Sequence, residues 1–127
     1  MKKLLCSLFA LSAVSTAMAQ EVNIKILGTS DIHGRVVPWS YGADVEDKSG
    51  SYAQIATYVK DVRKNNKNVV LVDVGDAIQD NQVDVFAKDK KYYKDHPIPK
   101  VLNEMKYDIF VLGNHEFNFG MEALDEI

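Results

Sequence analysis

Three apolar runs in this chain each end in a short polar cluster, and that recurrence constrains the fold more than any other feature. "VNIKIL" (22–27) leads into "GTSDIHG", "NVVLVDVGD" (68–76) into "AIQDN", and "YDIFVLG" (107–113) into "NHEFNFG". The first run alternates apolar and polar residues, as a strand does. The second is almost continuously apolar and β-branched, which suits a strand covered on both faces, and the third reads as another buried strand. Between the first two, "SYAQIATYVKDVRKNN" carries Ile55, Tyr58, Val59 and Val62 at helical spacing, with Ser51 and Gln54 as a capping box. "PIPKVLNEM" reads as a short helix introduced by prolines, and "GMEALDEI" starts another. Strands alternating with helices predict an α/β fold with a parallel sheet and right-handed crossovers. Segments 36–50 and 87–96 are expected to be exposed loops, with His96 a loop histidine.

In an open α/β sheet, ligands bind outside the carboxyl ends of the strands, and all three polar clusters fall there. The first holds Asp31 and His33, the second Asp76, the third Asn114, His115 and Glu116. Carboxylate, imidazole and amide oxygen without thiolate suit divalent Mn, Zn, Co, Fe or Mg. On an extended segment, the alternate residues Asp31 and His33 would point the same way and reach one ion. Asp76, between the outer clusters, could bridge two ions with its two oxygens. Two ions roughly 3.5–4 Å apart could hold a hydroxide and clamp a phosphoryl oxygen, with no side-chain nucleophile. Each cluster also has a plainer reading as a turn or cap, with Asn114 or Asn118 capping a helix. It is their co-occurrence at three consecutive strand ends that favours a metal site. Glu116 reads as an acceptor for backbone amides. Asp73, a carboxylate inside the second strand, either orients the ligands from behind or bonds a neighbouring loop.

The amino terminus belongs to a different category. "MKK" followed by "LLCSLFALSAV" and the small-residue signal "AMA" predicts a signal peptide over 1–19, with the mature chain starting at Gln20. The apolar run is shorter than the roughly 20 residues that span a bilayer. No second long apolar stretch follows, so no stable membrane anchor is expected after cleavage. The expectation is export, to the periplasm in a Gram-negative cell and otherwise to the medium or cell surface. Cys6, the one cysteine, lies in this segment, which leaves the mature chain without disulfides or thiolate ligands. Cleavage removes Lys2 and Lys3 from the 15 basic residues and none of the 18 acidic ones, taking net charge from −3 to −5. Such a chain has no electrostatic footprint for duplex nucleic acid. A small anionic substrate would need a local attraction, such as a metal ion.

Together, "DIHG", "GDAIQ" and "GNHEFNFG" resemble the calcineurin-like metallophosphoesterase superfamily, and within it the bacterial 5′-nucleotidase / 2′,3′-cyclic-nucleotide 2′-phosphodiesterase family. The resemblance runs from about Ile24 to the last residue. It implies that 20–127 is the N-terminal portion of a four-layer αββα sandwich that holds two divalent metals. It further implies that Asp31 and His33 bind one metal, Asp76 bridges both, Asn114 binds the second, and His115 is the catalytic histidine. The family's further ligand histidines and its C-terminal nucleotide-binding domain have no counterpart here, and the chain stops inside an amphipathic pattern. It therefore reads as the front part of a longer protein, inactive by itself. Where 5′-nucleotidases pair the catalytic histidine with an Asp three residues on, this chain has Asn118, as the cyclic-nucleotide branch tends to. The function implied is hydrolysis of small-molecule nucleotides, 2′,3′-cyclic nucleotides and 3′-nucleotides first, by attack of a metal-bound hydroxide. The alternatives are a 5′-nucleotidase or nucleotide-sugar hydrolase and, in another class, a metal- or nucleotide-binding protein without turnover.

Overall fold

The structure, a computed structural model, describes residues 21–127. The signal-peptide reading lies outside the described residues. Strand β1 (Lys25–Thr29) leads through the hairpin of β2 (Trp39–Ser40) and β3 (Val45–Glu46) to helix α1 (Tyr52–Asn65) and strand β4 (Val69–Asp73). Short helix α2 (Asp84–Lys88), helix α3 (Pro97–Met105), strand β5 (Ile109–Phe110) and helix α4 (Met121–Glu126) follow. The main sheet is parallel, in the order β1-β4-β5, with Lys25 opposite Val69 and Val72 opposite Ile109. This is the α/β arrangement expected, and it sets all three polar clusters at one edge of the sheet. No helix among the described residues is long and apolar enough to cross a membrane.

Local signals explain most of the helices. Ser51 caps α1, its hydroxyl oxygen accepting from the Gln54 N–H and its O–H donating to Gln54 Oε1. Pro97 opens α3, where a missing N–H is no loss. Lys106 ends that helix in the left-handed conformation, and Arg63 of α1 donates to the Met105 and Lys106 carbonyls at 2.5 and 2.7 Å. One side chain thus satisfies the orphan carbonyls of a neighbouring helix and ties α1 to α3. Tyr52, Val59, Leu71, Ile78, Ile98 and Leu102 form the core between the sheet and these helices.

Several expectations need correction. The first strand begins three residues later than its alternation indicated. Its partner β4 starts at Val69, so Val22 and Ile24 have no strand beside them and stay exposed. Leu27 and Thr29 face the core instead, and Ile26 is 73% exposed. Within β4 Leu71 and Asp73 are buried and Val69, Val70 and Val72 half-buried, while Val74, just beyond the strand, is exposed. The third run pairs over two residues only, with Ile109, Val111 and Leu112 exposed. On α1, Tyr58 points outward at 63% exposure, and Tyr52 at the first turn is the buried tyrosine. The loop 36–50 contains the β2–β3 hairpin, and 90–95 form a 3-10 turn. His96 is not a free loop residue: it is buried and caps α3, its Nδ1 accepting from the Ile98 N–H at 3.3 Å.

Candidate active site

The loops after β1 and β4 run beside each other and are joined by main-chain bonds. Asp31 N–H donates to the Gly75 carbonyl at 3.1 Å, His33 N–H to Asp76 at 3.0 Å, and Gly34 N–H to Ala77 at 2.8 Å. This zipper forces Asp31 and His33 into left-handed conformations, with φ 55° and 49°. They are therefore not alternate residues of an extended segment, and strand alternation does not bring their side chains together. The turn does so: His33 Nε2 lies 3.9 Å from Asp31 Oδ1. Asp76 joins them, and one ligand atom from each of Asp31, His33 and Asp76 lies within 4.8 Å of the others.

A third loop closes over Asp76. Gly75 has φ 99°, and a Cβ there would sit 2.1 Å from the Gly113 N. A Cβ on Gly113 would in turn sit 2.3 Å from Asp76 Oδ1. Only two glycines allow this approach of backbone to backbone and to carboxylate. Asn114 follows, exposed, and the His115 N–H donates to Asp76 Oδ1 at 2.8 Å. The Asp76 carboxylate thus keeps oxygen lone pairs for a further partner. The His33 and His115 rings meet edge to face, 5.3 Å between centroids.

Glu116 holds the loops in register. Its carboxylate is fully buried and accepts the backbone N–H groups of Asp76 (2.8 Å), Ala77 (2.6 Å), Ile78 (3.4 Å) and Gly113 (2.6 Å). All four of these bonds come from main-chain N–H groups, and none involves the side chain of Asp31, His33 or Asp76. Asp73 lies behind the site with no exposure. Its Oδ1 accepts the Gly75 N–H at 2.9 Å, and its Oδ2 accepts from Thr29 at 2.6 Å and Tyr52 at 3.2 Å. Burial pushes its carboxyl above the usual range, and these three donors pull it back. Burial beside that carboxylate likewise pushes the Tyr52 hydroxyl far up, keeping it a donor.

Behind His115 lie two amides. Asn118 Nδ2 stands 2.8 Å from His115 Nδ1 and also contacts Gln79 Oε1, which is itself 3.0 Å from that ring nitrogen. The Asn118 nitrogen is a donor and the Gln79 oxygen an acceptor. Nδ1 therefore accepts from Asn118 in one tautomer of the ring and donates to Gln79 in the other. Neither Gln79 nor Asp80 was singled out from the sequence, although Asp80 Oδ2 is 3.1 Å from His33 Nδ1. The only signal was that "QDN" prolongs the polar run after Asp76.

The donor set suits a divalent ion. The three side chains offer oxygen and imidazole nitrogen, and among the described residues neither Asp31 nor Asp76 is paired with a lysine or arginine. Residues 24–126 match the model of the calcineurin-like phosphoesterase family. The chain belongs to the calcineurin-like phosphoesterase family. It is 41% identical over 115 residues to the trifunctional nucleotide phosphoesterase YfkN of Bacillus subtilis, covering 84% of this chain and 8% of that protein. It is 37% identical over 123 residues to a 2′,3′-cyclic-nucleotide 2′-phosphodiesterase/3′-nucleotidase of Haemophilus influenzae, covering 93% and 19%. The crystal structure of the calcineurin-like phosphoesterase YfkN superposes with a TM-score of 0.73 at 40% identity, over 81% of this chain and 33% of that one. The chain thus spans less than a fifth of the curated relatives' length. The fold expectation, an α/β N-terminal portion of the calcineurin-like phosphoesterase fold, agrees with this neighbour. Divalent metals are the cofactors of this family, and the Asp31–His33–Asp76 cluster is the candidate site in this member.

Proposed function

We propose that this chain is the metal-binding front of an exported phosphoesterase that hydrolyses nucleotides, 2′,3′-cyclic nucleotides and 3′-nucleotides first. The observation that carries it is the convergence of Asp31, His33 and Asp76 within 4.8 Å, with the His115 ring 5.3 Å from that of His33. Asp31 and His33 would hold one divalent ion, Asp76 would be shared with a second, and Asn114 would serve that second ion. When bound, such ions supply Lewis-acid charge to a phosphoryl oxygen and lower the pKa of water at the site. The chain's own contribution is placement. Glu116 and the Gly75–Gly113 contact hold Asp76 and the Asn114 turn together. His115 stabilises the ribose oxygen that leaves phosphorus by donating a hydrogen bond to it.

The substrate class is supported by the activities of the relatives and by Asn118 behind His115. Export is supported by the arrangement of residues 1–19; N-terminal sequencing of exported protein should begin at Gln20, and a start at Met1 would sink that part. The central test is Asp76→Asn in the intact gene product, assayed with Mn2+ on 2′,3′-cyclic AMP and 3′-AMP. An amide cannot offset the repulsion of two ions, so turnover should all but vanish and metal content fall. Undiminished turnover would refute the shared-ligand role. No turnover by the parent on any nucleotide would favour a binding protein instead.

A further inference from the structure

Asp80 stands in a backbone conformation that a side chain rarely holds. Its φ of 72° and ψ of 164° fall in a region left essentially to glycine, because Cβ crowds the backbone there. Asn81 beside it is left-handed too, at φ 60°. Such strain persists only where surrounding contacts over-determine it, and it gathers at functional sites. At this position it brings a carboxylate close to His33: Asp80 Oδ2 lies 3.1 Å from Nδ1, a buried nitrogen with no aligned hydrogen-bond partner among the described residues. Asn81 holds the same histidine by its main chain, its side-chain N–H donating to the His33 carbonyl at 2.6 Å. Nε2, the other ring nitrogen, faces Asp31 Oδ1 at 3.9 Å. The imidazole therefore has one nitrogen toward the ligand cluster and the other against a carboxylate. A carboxylate behind a ligand histidine fixes the tautomer, orients the ring and raises its basicity as a donor.

We propose that Asp80 is a positioning residue for His33: its carboxylate is the acceptor toward which Nδ1 turns when Nε2 is presented to the metal. The glycine-type backbone at position 80 is the cost of placing it there. This inference rests on the metal reading given under Proposed function. The test is calorimetric titration of the intact gene product with Mn2+ alone, beside thermal unfolding of the metal-free protein, for the parent, Asp80→Gly and Asp80→Asn. Glycine relieves the backbone and removes the carboxylate. The expected result is a higher Tm together with about 10–100-fold weaker Mn2+ binding. Asparagine keeps the Cβ and loses only the charge, so its Tm should stay near the parent's while binding weakens. A purely structural role would not move stability and affinity in opposite directions. Mn2+ affinity of Asp80→Gly within about twofold of the parent, against that expected loss, overturns the proposal. If that variant fails to fold, the same result in Asp80→Asn overturns it. A parent that binds no Mn2+ overturns the metal reading as well, which separates the two failures.

Discussion

The Glu116 carboxylate and the backbone N–H of Asp76 meet at 2.8 Å although 40 residues of chain separate them. The same carboxylate takes the Gly113 N–H at 2.6 Å, so two loops that carry candidate ligands hang from one buried side chain. Glu116→Gln replaces one accepting oxygen with an NH2 that faces other N–H donors. Buried donors left without acceptors cost about 1–3 kcal/mol. We expect urea unfolding of the intact gene product to show a loss of that size, with weaker metal binding. An unchanged midpoint would show that the loops are held together by other contacts.

His115→Ala separates chemistry from metal binding. The ring contacts Gln79, Asn118 and the edge of His33, while the only bond from residue 115 to Asp76 uses its backbone N–H, which alanine keeps. Metal content should stay near the parent's while kcat falls by about 10²–10⁴-fold, the range of general-acid groups. Elemental analysis decides the matter: loss of a metal would make His115 a ligand.

Asn118→Asp should keep the fold and fix the ring's tautomer. Between Asn118 and Gln79 the Nδ1 atom can accept or donate, whereas a carboxylate requires Nδ1 to donate. Nitrogen NMR of labelled His115 reads the tautomer directly, with the proton held on Nδ1 in the variant. The ratio of 5′-nucleotidase to cyclic-nucleotide phosphodiesterase activity should change with it. The same tautomer and the same ratio in both proteins would leave Asn118 with a purely local, turn-forming role.

His96 makes stability depend on pH. Burial pushes its imidazole below the usual value, opposed by the Ile78 backbone and Asp84. The unfolded chain takes a proton near pH 6.5, where the folded residue stays neutral. The unfolded state then binds more protons, and stability falls as pH drops below about 6.5. His96→Asn keeps an N-cap acceptor for Ile98 and cannot titrate. Between about pH 7.5 and 5.5 the parent should lose more Tm than the variant. Comparing the two at each pH cancels Asp73, whose buried carboxyl is pushed the opposite way. Equal slopes would show that His96 does not titrate across unfolding.

What could be read in advance was the order of elements and the place of the clusters, because apolar runs and the residues that end them are local signals. Pairing partners are not local. Alternation marks Val22, Ile24 and Ile26 as one face, but only pairing with β4 from Val69 decides where β1 begins, and it is Leu27 on the other face that meets the core. Tyr52 and Tyr58 differ by less than two helical turns, and which one meets Asp73 depends on how α1 lies on the sheet. His96 looked like a loop residue because its cap role needs α3 to dock. Gln79 and Asp80 were silent for a related reason. Their partners are 36 and 47 positions away in the chain, reached through a turn whose φ angles no residue pattern encodes.

Gly75 and Gly113 give the site an unusual place in mutational space. Most positions near a reaction centre can be exchanged if a neighbour repacks, so variation there can retune what is recognised. Here an added Cβ at Gly75 would meet main chain at 2.1 Å, and one at Gly113 would meet the Asp76 carboxylate at 2.3 Å and its backbone N at 2.7 Å; main chain has no rotamer to yield, and the carboxylate is a candidate ligand. A saturation library at these two positions should return glycine alone among active clones. Substrate preference can drift across the surrounding side chains while the separation of the β4 and β5 loops stays a fixed property of the backbone.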